Sequence, residues 1–155
     1  MIIFDKILLS RCFLGENVRY NSEIITFNSP LIKLWQQQKR IIAICPEVAG
    51  GLAVPREPAE QQAHNDQVIT ISGSNVSKQF NKGANQALAL CQQHNIRFAV
   101  LKESSPSCGS TLIYDGSFSN KKIAGQGVTS KLLTKAGIKV FSENNLNELA
   151  ALLDR

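Results

Sequence analysis

At 155 residues the chain has the length of one domain, and its 43% hydrophobic residues are enough to bury a core without disulfide staples. An ordinary 19% of charged residues and the lack of low-complexity stretches exclude a disordered chain, and no run approaches the roughly 20 uninterrupted apolar residues of a membrane span. Seventeen basic against twelve acidic residues give a formal charge of +5 and a pI of about 9.2, but the lysines and arginines are scattered and read as solvated faces before they read as a phosphate or RNA site.

Residues 1–9 lack the basic start, long apolar core and small-residue cleavage site of a signal peptide, so the chain is expected in the cytoplasm. Its four cysteines are then reduced, metal-bound or catalytic rather than a disulfide framework. Lys6–Leu9 predicts a first strand, followed by Ser10-Arg11-Cys12 and a loop through Asn28. Ser29-Pro30 supplies a cap and a first helical position, Leu31, Leu34 and Trp35 share a face, and Lys39 and Arg40 suit the last turn. A second strand, Ile41–Ile44, runs directly into Cys45. The stretch Pro46–Asp66, with Pro46, Pro55, Pro58 and Gly50-Gly51, reads as an irregular segment over a surface or site. Gln67–Ser72 predicts a short strand, Val76–His94 a helix, Ile96–Leu101 a third main strand and Lys102–Gly109 a loop ending at Cys108. Gly125-Gln126-Gly127 opens a helix through Ala136, Ile138–Phe141 is a further strand, and Leu146, Leu149, Ala150 and Leu153 line a closing helix. The alternation predicts an α/β fold, a Rossmann-like three-layer sandwich with a mostly parallel sheet, as a single domain over 1–155.

Cys12, Cys45 and Cys108 each follow an apolar run. In an open parallel sheet the carboxyl ends of the strands lie along one edge, so three distant cysteines would converge at the crevice where ligands bind. Thiolates there suit soft metals, iron–sulfur clusters in particular; the alternative is that each is a small buried apolar side chain. Cys91 shares a helix face with Ala84, Ala87 and Leu88 and reads as core. None of the three has a zinc-finger partner two to four residues away. Three ligands leave a fourth position open, which in a 4Fe-4S cluster is an iron able to bind a substrate sulfur as a Lewis acid. In Cys45-Pro46-Glu47 an extended backbone would point Glu47 toward the same space as Cys45, where it could move protons; a helix-starting or salt-bridged glutamate is the alternative. Ser104, Ser105 and Ser107 either meet a ligand or make local backbone bonds, and Gly125-Gln126-Gly127 either cradles a phosphate or forms an ordinary turn. Neither His64 nor His94 has a partner pattern.

Ser10-Arg11-Cys12-Phe13-Leu14-Gly15 with Arg19-Tyr20, Cys45-Pro46-Glu47-Val48-Ala49-Gly50-Gly51-Leu52 through Pro55-Arg56-Glu57-Pro58-Ala59-Glu60, and Ser104-Ser105-Pro106-Ser107-Cys108-Gly109 together resemble the thiouracil desulfurase family. The resemblance continues through Ile113-Tyr114-Asp115-Gly116 and Gly125–Thr129 to Ile138–Ser142. It implies a 4Fe-4S cluster held by Cys12, Cys45 and Cys108, with Glu47 and Ser104 at the catalytic positions. It also implies a desulfidase that replaces the thiocarbonyl sulfur of a small-molecule thiolated pyrimidine by oxygen from water, without net redox change, the substrate being a base, a nucleotide or a tRNA-derived species. Arg11 stands where a small residue is usual in that family, and could meet an anionic group. Val18 stands where some relatives carry another cysteine, so no thiol is needed there. The competing reading is a non-enzymatic module binding zinc or a nucleotide. Nothing in the sequence speaks to oligomeric state.

Overall fold

The computed structural model describes residues 4–24 and 27–153. Its elements are β1 (Ile7–Ser10), a 3-10 turn (Arg11–Leu14), α1 (Pro30–Gln37), β2 (Ile41–Ile44), α2 (Pro46–Ala49), β3 (Ala59–Gln61), β4 (Val68–Thr70), α3 (Ser77–Gln93), β5 (Phe98–Val100), β6 (Leu112–Tyr114), β7 (Lys122–Ala124), α4 (Val128–Lys135), β8 (Lys139–Phe141) and α5 (Leu146–Leu153). A four-stranded parallel sheet has the order β2-β1-β5-β8, and two antiparallel pairs, β3-β4 and β6-β7, stand outside it.

Strand alternation divides the core between two faces. Ile7, Leu9, Phe98 and Val100 pack on Ile32 and Trp35 of α1 and Leu146 and Leu149 of α5. Leu8, Ala99 and Leu101 face the other way, onto Ala87 and Cys91 of α3 and Leu133 of α4. Two helical layers around one parallel sheet are the expected three-layer sandwich, and Cys91 is core. No described helix is long and apolar enough to cross a membrane.

The register brings Ser10 opposite Ile44 and Leu9 opposite Val100, so β1, β2 and β5 end at one level. The chain leaves β1 toward β2 through α1 and later reaches β5 on the other side of β1 through α3. This reversal of strand order is the place where open α/β sheets bind ligands.

Three local expectations need correction. Helix α1 ends at Gln37 and Lys39 turns left-handed at φ 57, so Lys39 and Arg40 lie beyond it; buried Arg40 donates from Nε to Asp5 O at 2.9 Å. The 46–66 stretch contains α2 and β3 as well as loop. The strand expected at 67–72 is present as β4, which pairs with β3 in a hairpin outside the central sheet. Finally, only Cys45 is extended, at φ −108 and ψ 105; Pro46, with its ring-fixed φ, starts α2 at once and puts Glu47 in the first turn of a helix.

Candidate functional site

Beyond the strand ends lies a cleft of about 600 Å³ whose wall includes Cys12, Cys45 and Cys108. Each thiol arrives on a separately braced segment. Cys12 sits in the 3-10 turn that β1 runs into, closed by Gly15, which takes φ 78 and donates its amide to Cys12 O at 3.3 Å. Cys45 caps α2, which is pressed onto α3 where both backbones lack a side chain: a Cβ on Gly83 would meet Pro46 O at 1.8 Å, and one on Gly50 would meet Gln79 O at 2.0 Å. The Ser10 hydroxyl links the ends of β1 and β5, accepting the Lys102 amide at 3.0 Å and reaching Cys108 Sγ at 3.6 Å.

The Cys108 loop is held from two sides. The start of α4 supplies amides to it: Gly127 to Gly109 O at 2.8 Å, Val128 to Pro106 O at 2.9 Å and Thr129 to Ser107 O at 2.8 Å. Ser130 Oγ donates to Cys108 O at 2.7 Å, and the Ser107 and Thr129 hydroxyls bond at 2.7 Å. The glycine pattern before α4 therefore grips a protein loop and not a phosphate, and a Cβ on Gly127 would strike Ser107 O at 2.5 Å. On the other side, Glu103 accepts from the amides of Ser104, Ser110, Thr111 and Leu112 and from the hydroxyls of Ser110 and Thr111. Burial alone would push its carboxyl up, but the Thr111, Leu112 and Ser104 amides and the Ser110 hydroxyl hold it down at about 2.

The three serines separate by what they bond. Ser105 Oγ accepts the Cys108 amide at 2.7 Å and Ser107 is tied to Thr129, so both are structural. Ser104 lies on the cleft wall at φ 70, a conformation unfavourable for a side chain, and its hydroxyl has no protein partner among the described residues. Glu47 also lines the cleft, with Oε1 at 3.2 Å from Arg56 Nε. Arg56 donates further to Ala53 O and Val18 O at 3.1 Å each, and the Cys45 thiol contacts the same Val18 carbonyl at 3.8 Å. Burial raises the Glu47 carboxyl above the ordinary range, and Arg56 offsets only part of that. Arg11 is engaged with Ala43 O at 3.2 Å and Glu16 at 3.6 Å.

Burial lifts the Cys12 thiol to about 11 and the Cys108 thiol to about 12, with Cys45 adding to both, and burial raises Cys45 as well. All three thiols line one cleft and are held protonated by burial, so they need a cationic group to become thiolates. Among the described residues, no three His, Cys, Asp or Glu side chains are grouped as around a single metal ion. A lone zinc would demand sulfurs all about 2.3 Å from one point, whereas a cubane takes each thiolate on a different iron. The donors on the wall suit the larger, softer group: three sulfurs and no imidazole.

Residues 7–145 match the sequence model of the 2-thiouracil desulfurase family. The chain belongs to that family. Among its relatives, the solved structure of the 4Fe-4S-dependent thiouracil desulfidase TudS is similar at a TM-score of 0.94 and 48% identity, covering 97% of this chain and 98% of that one. The uncharacterized protein YbbK of Bacillus subtilis (strain 168) is 42% identical over 151 residues, 92% of this chain and 99% of its own.

The sequence singles out the thiols, Glu47 and Ser104, offers Glu103 only as the next proton carrier after Glu47, and gives Arg56 no role. Arg56 sits within a quoted motif, so an arginine nine residues after an acid was a visible signal. The donors that surround Glu103 come from a chain reversal at residues 110–112 that no periodicity announces.

Proposed function

We propose that this chain is a 4Fe-4S-dependent desulfidase acting on thiolated pyrimidines, with the cluster held by Cys12, Cys45 and Cys108. The observation that carries the proposal is the meeting of three thiols from three strand ends in one cleft that also presents Glu47 and Ser104. When bound, the cluster supplies an iron without a protein thiolate, a Lewis acid with affinity for sulfur. The protein's part is positioning and proton transfer. The cleft, at about 600 Å³, has room for a planar ring of base or nucleotide size. Glu47, steadied by Arg56 and raised above its ordinary value by burial, accepts the proton of the water that adds to the thiocarbonyl carbon. The unpartnered Ser104 hydroxyl donates to the ring or to the oxygen that replaces sulfur.

Atoms balance as thiocarbonyl plus water giving carbonyl plus hydrogen sulfide, with no electrons gained or lost. The four cysteines are free thiols, which suits a reducing compartment such as the cytoplasm. The test is anaerobic turnover of thiouracil by cluster-loaded protein without a reductant. Uracil and sulfide should form in equal amounts over many turnovers, and a requirement for one electron donor per turnover would refute the hydrolytic reading.

A further inference from the structure

Besides the thiols, Glu47, Glu60, Glu103 and Glu143 line the cleft. Glu103 is surrounded by donors, Glu143 accepts the Glu103 amide at 2.9 Å and pairs with Lys102, and Glu47 leans on Arg56. Glu60, from β3, differs from all three. Its Oε1 accepts the amides of Gly116 at 2.9 Å and Phe118 at 3.2 Å, fastening the turn between β6 and β7. Its Oε2 has no protein donor and no cation partner among the described residues. Among the described residues the buried unpartnered side-chain oxygens are those of Gln61 and Gln79, so Glu60 Oε2 keeps some accessibility, and Glu60 itself lines the cleft.

Fastening a turn takes one acceptor oxygen, which a neutral side chain provides. A carboxylate only 8% exposed has lost hydration that the bonds to Oε1 do not restore. The spare anionic oxygen calls for an N–H donor from the occupant of the cleft. We propose that Glu60 is a specificity-determining residue whose Oε2 accepts the ring N–H beside the thiocarbonyl. This assignment rests on the desulfidase reading above and adds the selection of substrate to it. In a thiouracil the N3–H lies between both carbonyl-type carbons, so it neighbours the sulfur in either position and survives in the product.

Glu60→Gln is the decisive variant. The Gly116 and Phe118 amides require an acceptor, so the glutamine oxygen takes the place of Oε1 and its NH2 faces the cleft, donor against donor. Cluster-loaded wild type and variant are titrated with uracil and N3-methyluracil, neither of which is consumed, and 2-thiouracil turnover is followed in parallel. Wild type should bind uracil about 10- to 100-fold more tightly than N3-methyluracil, as expected of a hydrogen bond to a charged acceptor. Glu60→Gln should lose that preference, and its KM for 2-thiouracil should rise by a similar factor with kcat little changed. A preference that survives in Glu60→Gln reflects only the bulk of the methyl group and overturns the assignment, as does equal binding of both ligands by wild type. If wild type with a full cluster leaves 2-thiouracil unconverted, the desulfidase reading falls first; intact turnover without an N–H preference removes Glu60 alone.

Discussion

Glu47 and Glu103 stand on the same cleft wall in opposite environments. Glu47 has one cationic partner and is pushed toward protonation by burial, whereas Glu103 is held ionised by amides and hydroxyls. A proton carrier needs the first environment and a structural anchor the second. Glu47→Gln keeps size and much of the hydrogen bonding but cannot take a proton, so turnover should fall about 10²- to 10⁴-fold while the cluster spectrum survives. Near-normal turnover with a full cluster would remove Glu47 from the mechanism. For Glu103 the sign follows from its lowered carboxyl: its stabilisation is complete above the ordinary value of 4.5 and fades as pH falls toward about 2. Glu103→Gln should cost on the order of 2 to 3 kcal/mol at neutral pH in urea unfolding, and much less near pH 2. An equal loss at both pH values would show that its charge is not what anchors the loop.

Among the elements, the contact between α2 and α3 decides where Cys45 stands. A glycine inside a helix such as Gly83 costs roughly 1 kcal/mol against alanine, yet any Cβ there would collide with Pro46 O. Gly83→Ala should therefore destabilise the protein by about 1 to 3 kcal/mol despite better helix propensity, and loosen cluster binding through Cys45. Greater stability with a fully retained cluster would contradict this packing account. Such a contact was not legible in the sequence, because a lone glycine in an amphipathic helix looks like a tolerated defect until its neighbour is known. The β3-β4 and β6-β7 pairs were only partly legible for a related reason: Ala59–Gln61 and Lys122–Ala124 are three residues long, and neither shows an apolar alternation. By contrast, Ile7–Ser10 and Phe98–Val100 are buried throughout, the edge strand Ile41–Ile44 is half-buried up to Ile44, and the apolar composition of all three announced them. Glu47 lines the cleft, but as the helix-starting, ion-paired glutamate of the alternative reading, since Pro46 starts a helix and does not prolong a strand.

At the scale of the whole molecule, the site belongs to the topology. Cys12, Cys45 and Cys108 are far apart in sequence and meet because β2, β1 and β5 are adjacent, parallel and end at one level. Cys91 differs in kind, lying on the helical face that seals the core. The most direct measurement is iron and acid-labile sulfide per chain after anaerobic reconstitution, for wild type and for serine at each cysteine in turn. About four irons and four sulfides are expected in wild type and Cys91→Ser, with the cluster lost or severely depleted in Cys12→Ser, Cys45→Ser and Cys108→Ser. A full cluster in Cys108→Ser, or stoichiometric zinc in place of iron in the wild type, would contradict the central claim that these three strand-end thiols hold a 4Fe-4S group.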